Sequence, residues 1–140
     1  MGLVTSKILL RNPRLPDLGT VEVEALADSG ALFLCIPESL RERLRLEPAG
    51  DQRVVLADGS VRTVPYVGPV EVRFKNRVGF TGAIVIGDQV LVGAIPMEEM
   101  DLVIIPRTRT LDVNPASPDI AMSFVKQTEA SYALDLEVPQ

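Results

Sequence analysis

The chain has 140 residues, of which 46% are hydrophobic and 24% are charged, a composition typical of one globular domain of ordinary size. Its net charge of −5 argues against a nucleic-acid surface, because such surfaces neutralise phosphates with a basic patch. The chain contains no histidine, which excludes Ser-His-Asp and Cys-His catalysis and imidazole ligands for zinc.

The first predicted strand is TVEVEALA, residues 20–27, in which apolar residues alternate with glutamates, so that one face is expected to be solvated. A turn of sequence DSGA follows. The apolar run Leu32 to Ile36 then predicts a second, buried strand. Pro37 suits the first position of a helix, which we expect over Ser39 to Leu46.

Downstream of this helix the sequence is mostly typical of β-structure. The Asp58-Gly59 turn lies between two apolar segments and predicts a hairpin. The alternation in PVEVRF, residues 69–74, predicts a strand whose outer face carries Glu71 and Arg73.

Four further strands and a short helix complete the predicted elements. The strands are expected over Gly79 to Ile86, Gln89 to Val92, Leu102 to Ile105 and Thr110 to Asn114, and the helix at PMEEM, residues 96–100. Together these elements predict a mainly β domain with one or two short helices, folded as a compact barrel or folded-over sheet.

The single cysteine, Cys35, excludes an internal disulfide and is typical of a reducing compartment. It is also more consistent with a small core residue than with a nucleophile, because no histidine is present to activate it. No apolar run approaches the length of a membrane span, and no secretory signal is evident. We therefore expect a cytoplasmic protein that binds neither membrane nor nucleic acid, with no metal ion or cofactor.

The strongest functional signal is the loop Asp28-Ser29-Gly30-Ala31, which follows one apolar strand and precedes another. This arrangement resembles the active-site loop of aspartic proteases. As an isolated tripeptide, Asp-Ser-Gly is also ordinary turn chemistry, and Asp28 in a surface turn is the alternative interpretation.

Later parts of the chain extend the resemblance over about residues 20–106. The hairpin turn at Asp58 and Gly59 is similar to a flap over the substrate, and Leu91-Val92-Gly93 before a short helix is similar to the element that packs behind the active-site loop. The chain therefore resembles the retropepsin-like family, the single-lobe aspartic proteases of retroviruses and their bacterial relatives.

The resemblance implies a barrel of the retropepsin type and a homodimer that hydrolyses peptide bonds in a polypeptide substrate. Two Asp28 carboxylates at the dimer axis would share one proton and activate water. Ser29 would hydrogen-bond across the dimer, Gly30 would place its N–H near the carboxylates, and Ala31 would leave room for the substrate backbone. The same fold used as a dimerisation or peptide-binding module with little or no hydrolysis is the alternative, because fold alone does not establish activity.

The segment after the last predicted strand also resembles bacterial members of this family. The stretch NPASP, residues 114–118, is similar to a segment that follows the last strands in bacterial relatives. We expect one protease domain over residues 1–115 and a C-terminal loop and tail over residues 116–140.

Overall fold

The computed structural model describes residues 3–125. These residues form nine strands and two short α-helices. The strands are β1 (Thr5–Arg11), β2 (Thr20–Ala27), β3 (Leu34–Ile36), β4 (Pro48–Val55), β5 (Val61–Phe74), β6 (Arg77–Val85), β7 (Val90–Val92), β8 (Leu102–Ile105) and β9 (Thr110–Val113). The helices are α1 (Glu38–Leu44) and α2 (Ala94–Glu99), and a short 3-10 helix covers Pro16–Leu18.

Six of the strands close into a barrel. The hydrogen-bonded order is β1-β2-β7-β3-β6-β5, and β5 pairs back onto β1 through Leu10 and Val72. Strand β4 lies outside this ring and pairs only with β5, so that β4 and β5 form a hairpin that extends from the barrel wall. Strands β8 and β9 form a separate two-stranded hairpin.

The barrel interior is filled with aliphatic side chains from alternate positions of the strands. Leu10, Leu34 and Val67 are fully buried there, as the period-2 pattern of a half-buried strand requires. Helix α1 adds Leu40 and Leu44, one turn apart, to the same buried cluster. The predicted mainly β fold, with a closed barrel and two short helices, is confirmed.

One predicted side-chain direction is wrong. Glu71 was expected on the solvated face of its strand, but only 4% of it is exposed. Arg11, on the paired strand β1, and Arg73 both place Nε beside Glu71 Oε2, at 3.4 and 3.1 Å respectively. The strand alternates as predicted, but the two arginine side chains cover its outer face at this position, and charged partners make burial of the carboxylate tolerable.

The NPASP stretch is held to the domain by a polar cluster. Asp101 accepts hydrogen bonds from Asn114 Nδ2 at 3.0 Å, from the Ser117 hydroxyl and from the Met122 N–H at 2.9 Å. Arg77, which is almost fully buried, donates to the carbonyl of Ser117. These hydrogen bonds hold the pKa of the Asp101 carboxyl at about 2. The segment 114–122 is therefore fastened to the barrel.

The division into a domain over residues 1–115 and a tail over residues 116–140 stays a prediction. Residues 116–125 lie within the described part of the chain and include the buried Ser117. The remainder of the expected tail, residues 126–140, lies outside the described residues.

Candidate active site

The backbone of the Asp28 loop is fixed by the strands around it. The Asp28 N–H donates to the carbonyl of Val92 at 3.0 Å, which continues the parallel pairing of β2 with β7 by one residue. The Asp28 side chain then accepts a hydrogen bond from the Gly30 N–H at 2.9 Å, and its carbonyl accepts one from the Ala31 N–H at 3.2 Å. The loop is therefore a turn closed by its own aspartate.

The residues after the loop are held by β7 and the start of α2. The N–H groups of Ala94 and Ile95 donate to the carbonyls of Ala31 and Leu32, at 2.8 and 2.9 Å. Gly93 lies directly against this segment and leaves no room for a side chain. Leu91 pairs with Leu26 of β2 on one side and with Cys35 of β3 on the other. The three residues Leu91, Val92 and Gly93 thus lie behind the Asp28 loop.

Asp28 itself does not lie in apolar surroundings. Asp28, Ser29 and Gly30 are all exposed in the single chain, whereas Ala27 directly before them is buried. In the isolated subunit the carboxylate at the end of this apolar strand is therefore solvated. Strand β2 ends at Ala27, so the next residue emerges at the edge of the barrel, where water can solvate its charge.

The Asp28 loop opens onto a cleft of about 440 Å³. Asp28 and Ser29 line it together with Leu3 near the start of the chain. Ile104 of β8 and Arg109, in the turn between β8 and β9, also line it. The sequence did not predict that this hairpin lies beside the Asp28 loop. The two segments are about eighty residues apart in the chain, and no local sequence pattern connects them.

The hairpin of β4 and β5 has a tightly closed turn. Leu56 and Ser60 bracket it, with the Leu56 N–H donating to the Ser60 carbonyl at 2.8 Å. Gly59 has a φ of 85°, which a residue with a Cβ adopts only with strain. Asp58 accepts from both the hydroxyl and the N–H of Ser60, and these bonds lower the pKa of its carboxyl.

The hairpin carries exposed apolar side chains on both strands. Val55 of β4 and Val61 of β5 are 74% and 61% exposed. At the other end of the exposed half of β5, the ring of Tyr66 meets the ring of Phe33 edge to face, with 5.8 Å between centroids. Phe33 follows the Asp28 loop, so this aromatic pair joins the loop to the base of the hairpin.

Cys35 lies on β3 in a half-buried position near Asp28. Burial raises the pKa of the Cys35 thiol, and the nearby Asp28 carboxylate raises it further. A raised thiol pKa is the opposite of what a cysteine nucleophile needs at neutral pH.

Within residues 3–125, no cluster of three or more cysteine and carboxylate side chains lies close enough to hold a metal ion. None of the helices in the same part of the chain is both long enough and apolar enough to cross a membrane.

One segment of the chain matches a known protein family. Residues 17–80 match the family model described as aspartyl protease. The matched segment contains the Asp28 loop and the hairpin turn at Asp58 and Gly59, and it ends before Leu91. No curated protein matches the chain. The match confirms that the segment with the Asp28 loop is similar to aspartyl proteases.

Proposed function

We propose that this chain, whose residues 17–80 match the family model described as aspartyl protease, is an aspartic endopeptidase. It hydrolyses peptide bonds as a homodimer, with one Asp28 from each subunit. The observation that carries this proposal is the position of Asp28. The carboxylate stands exposed at the end of a barrel strand, fixed by the Gly30 N–H, and lines an open cleft.

A second carboxylate is required for the chemistry. Asp28 is the only acidic residue that lines the cleft in the described part of the chain. Two carboxylates a few ångströms apart share one proton, so that one can act as base toward water while the other acts as acid. A second copy of this chain, related by a twofold axis beside the Asp28 loop, supplies the missing group in an isologous arrangement.

The steps of hydrolysis follow from this pair. The unprotonated Asp28 takes a proton from water, which attacks the scissile carbonyl, and the protonated Asp28 donates a hydrogen bond to the carbonyl oxygen. A proton then passes to the leaving amine as the carbon–nitrogen bond breaks. Ser29 holds the two loops together, the Gly30 N–H holds the carboxylate in place at 2.9 Å, and Ala31 leaves space for the substrate backbone.

The hairpin of β4 and β5 serves as the flap. Asp58 and Gly59 form its turn, and Val55 and Val61 offer apolar surface beside it. A peptide bound between this hairpin and the Asp28 loop lies extended, where its backbone groups can pair as an added strand. The protein acts in the cytoplasm, and the reaction needs neither metal nor cofactor.

The second candidate function is a dimerisation or peptide-binding module without hydrolysis. The exposure of Asp28 in the single chain is compatible with both functions, because a solvated carboxylate is stable without a partner and is also accessible to substrate. The two functions share every strand and differ only in whether the two Asp28 groups meet.

Cleavage of a mixed peptide library between about pH 4 and pH 6 tests the proposal. We expect products from the wild-type chain and essentially none from Asp28→Asn, which retains the shape of the side chain. Asp17→Asn, which removes one carboxylate from the 3-10 helix, is the matched control and should cleave like the wild type. Equal product from Asp28→Asn and wild type would overturn the mechanism.

The dimer is tested separately by sedimentation over a range of protein concentrations. We expect a monomer–dimer equilibrium whose midpoint coincides with the concentration at which specific activity rises. A chain that remains monomeric while cleaving would rule out the shared dyad.

A further inference from the structure

The turn between β8 and β9 places a cation at the site. Arg109 is the only basic residue lining the cleft in the described part of the chain. Among residues 3–125 it takes part in no salt bridge, and of the other arginines only Arg11, Arg41, Arg73 and Arg77 do. Its charge is therefore available to a molecule that enters the cleft.

The position of Arg109 is set by the fold. Strands β8 and β9 pair from Leu102 with Val113 to Ile105 with Thr110, which leaves residues 106–109 as the turn. The Arg109 N–H donates to the carbonyl of Pro106 at 3.3 Å and closes this turn.

Contacts of strand β9 with the start of the chain position the β8–β9 turn beside the Asp28 loop. The Leu111 N–H lies 3.4 Å from the Ser6 hydroxyl of β1, and the Val4 carbonyl just before β1 accepts from the Ala27 N–H at 2.8 Å. Ala27 directly precedes Asp28. A short chain of contacts thus fixes the turn beside the catalytic loop.

The backbone at Arg109 is left-handed, with a φ of 53°. Glycine or asparagine occupies such a turn position at lower cost. The chain instead places a long cationic side chain there.

The rest of the cleft lining is mostly apolar. Leu3, Leu26 and Ile104 contribute aliphatic surface, and Pro106 adds its ring. Arg109 is itself exposed, so an ion pair formed with it has the modest strength of a surface pair. An aspartate or glutamate side chain fits both features of the cleft. Its short apolar stem can contact the aliphatic lining, and its carboxylate can pair with Arg109.

We propose that Arg109 is a specificity-determining residue, which makes the protease prefer peptides with an acidic side chain near the scissile bond. This inference rests on the proposed function and names its substrate class. Because the twofold axis relates the two copies of the cleft, the preference appears at equivalent distances before and after the scissile bond.

The test uses peptides that carry Glu or Gln at each position within four residues of the scissile bond. With the wild-type protein we expect kcat/KM to be about two- to fivefold higher for Glu than for Gln at one symmetric pair of positions. Arg109→Ala should abolish this ratio, and Arg109→Glu should replace it with a preference for Lys. Arg107→Ala, in the same turn but not lining the cleft, is the control and should retain the wild-type ratio.

Each result decides a different question. If cleavage depends on Asp28 but the Glu-to-Gln ratio is one, or is unchanged by Arg109→Ala, the specificity inference is wrong and the protease proposal stands. If Arg109→Glu shifts the monomer–dimer midpoint and leaves the ratio unchanged, the cleft faces the partner subunit and the inference is likewise wrong. If cleavage does not depend on Asp28, the proposed function itself fails.

Discussion

Gly93 lies against the carbonyl of Phe33 so closely that a Cβ on Gly93 would stand 2.5 Å from the Phe33 oxygen. This contact brings the end of β7 onto the backbone that leaves the Asp28 loop. The site loop and its support are therefore packed backbone to backbone, without side chains that could adjust.

Substitution Gly93→Ala tests this contact. The added methyl group meets backbone atoms rather than a flexible side chain, so β7 and the loop must move apart. We expect the free energy of unfolding to fall by about 1–3 kcal/mol, as in other overpacked interiors, together with loss of cleavage. Chemical denaturation measures the first effect. Gly50→Ala, where a Cβ meets no atom within 4 Å, is the control and should unfold like the wild type.

The turn between β4 and β5, the proposed flap, depends on the acceptor oxygen of Asp58. Asp58→Ala removes the acceptor for both Ser60 donors, so the turn loosens and fewer molecules hold the closed hairpin. We expect KM to rise by about three- to tenfold, with a smaller change in kcat. Asp58→Asn keeps an acceptor oxygen and should stay close to the wild-type KM. Equal KM values for Asp58→Ala and wild type would show that the turn does not contribute to substrate binding.

The cluster around Asp101 makes stability dependent on acid pH. The pKa of the Asp101 carboxyl is lowered from 3.8 to about 2, first by the Ser117 hydroxyl and then by the Met122 N–H and the Asn114 amide. The stabilisation from the ionised form is therefore fully present above about pH 4 and is lost as the pH falls through about 2.

Thermal unfolding of wild type and Asp101→Asn between about pH 2 and pH 7 measures this dependence. The difference in melting temperature should be constant near neutral pH and shrink toward the acid end. Asp17→Asn controls for general charge effects. A difference that is the same at every pH would mean that the carboxylate charge does not stabilise the segment 114–122.

The thiol of Cys35 reports the charge on Asp28. The pKa of this thiol is raised chiefly by burial and further by the Asp28 carboxylate, and only the thiolate reacts with alkylating agents. We therefore expect the pH profile of alkylation by iodoacetamide to lie at higher pH than that of a free thiol. Asp28→Asn should move the profile toward lower pH, whereas Asp17→Asn should not. Superimposable profiles for Asp28→Asn and wild type would show that the two groups do not interact.

The local elements could be predicted from sequence because their signals are local. The alternation in residues 20–27 predicted β2, and the Asp58-Gly59 turn predicted the hairpin of β4 and β5. The burial of Glu71 could not be predicted, since it depends on Arg11, sixty residues earlier, which β1 brings alongside. Period-2 alternation indicates which face of the strand a residue lies on, but it does not indicate which side chains from other segments cover that face.

The candidate site was predictable in part for the same reason. The Asp28 loop has a short motif, whereas the exposure of its carboxylate and the presence of Arg109 depend on where strands end and how the β8–β9 hairpin packs. The aromatic pair of Phe33 and Tyr66 likewise joins two segments that no spacing rule connects.

Strand β5 is one continuous strand of fourteen residues that belongs to the β4–β5 hairpin in its first half and to the barrel wall in its second. Its pairing with β6 is irregular between Val67 and Val70, just beyond Tyr66. The first half of β5 therefore continues directly into the barrel wall, and Tyr66 lies where the two halves meet. Under the proposed function, a peptide that displaced the hairpin tip would bend the strand near Tyr66 and, through the contact with Phe33, would also displace the loop that carries Asp28.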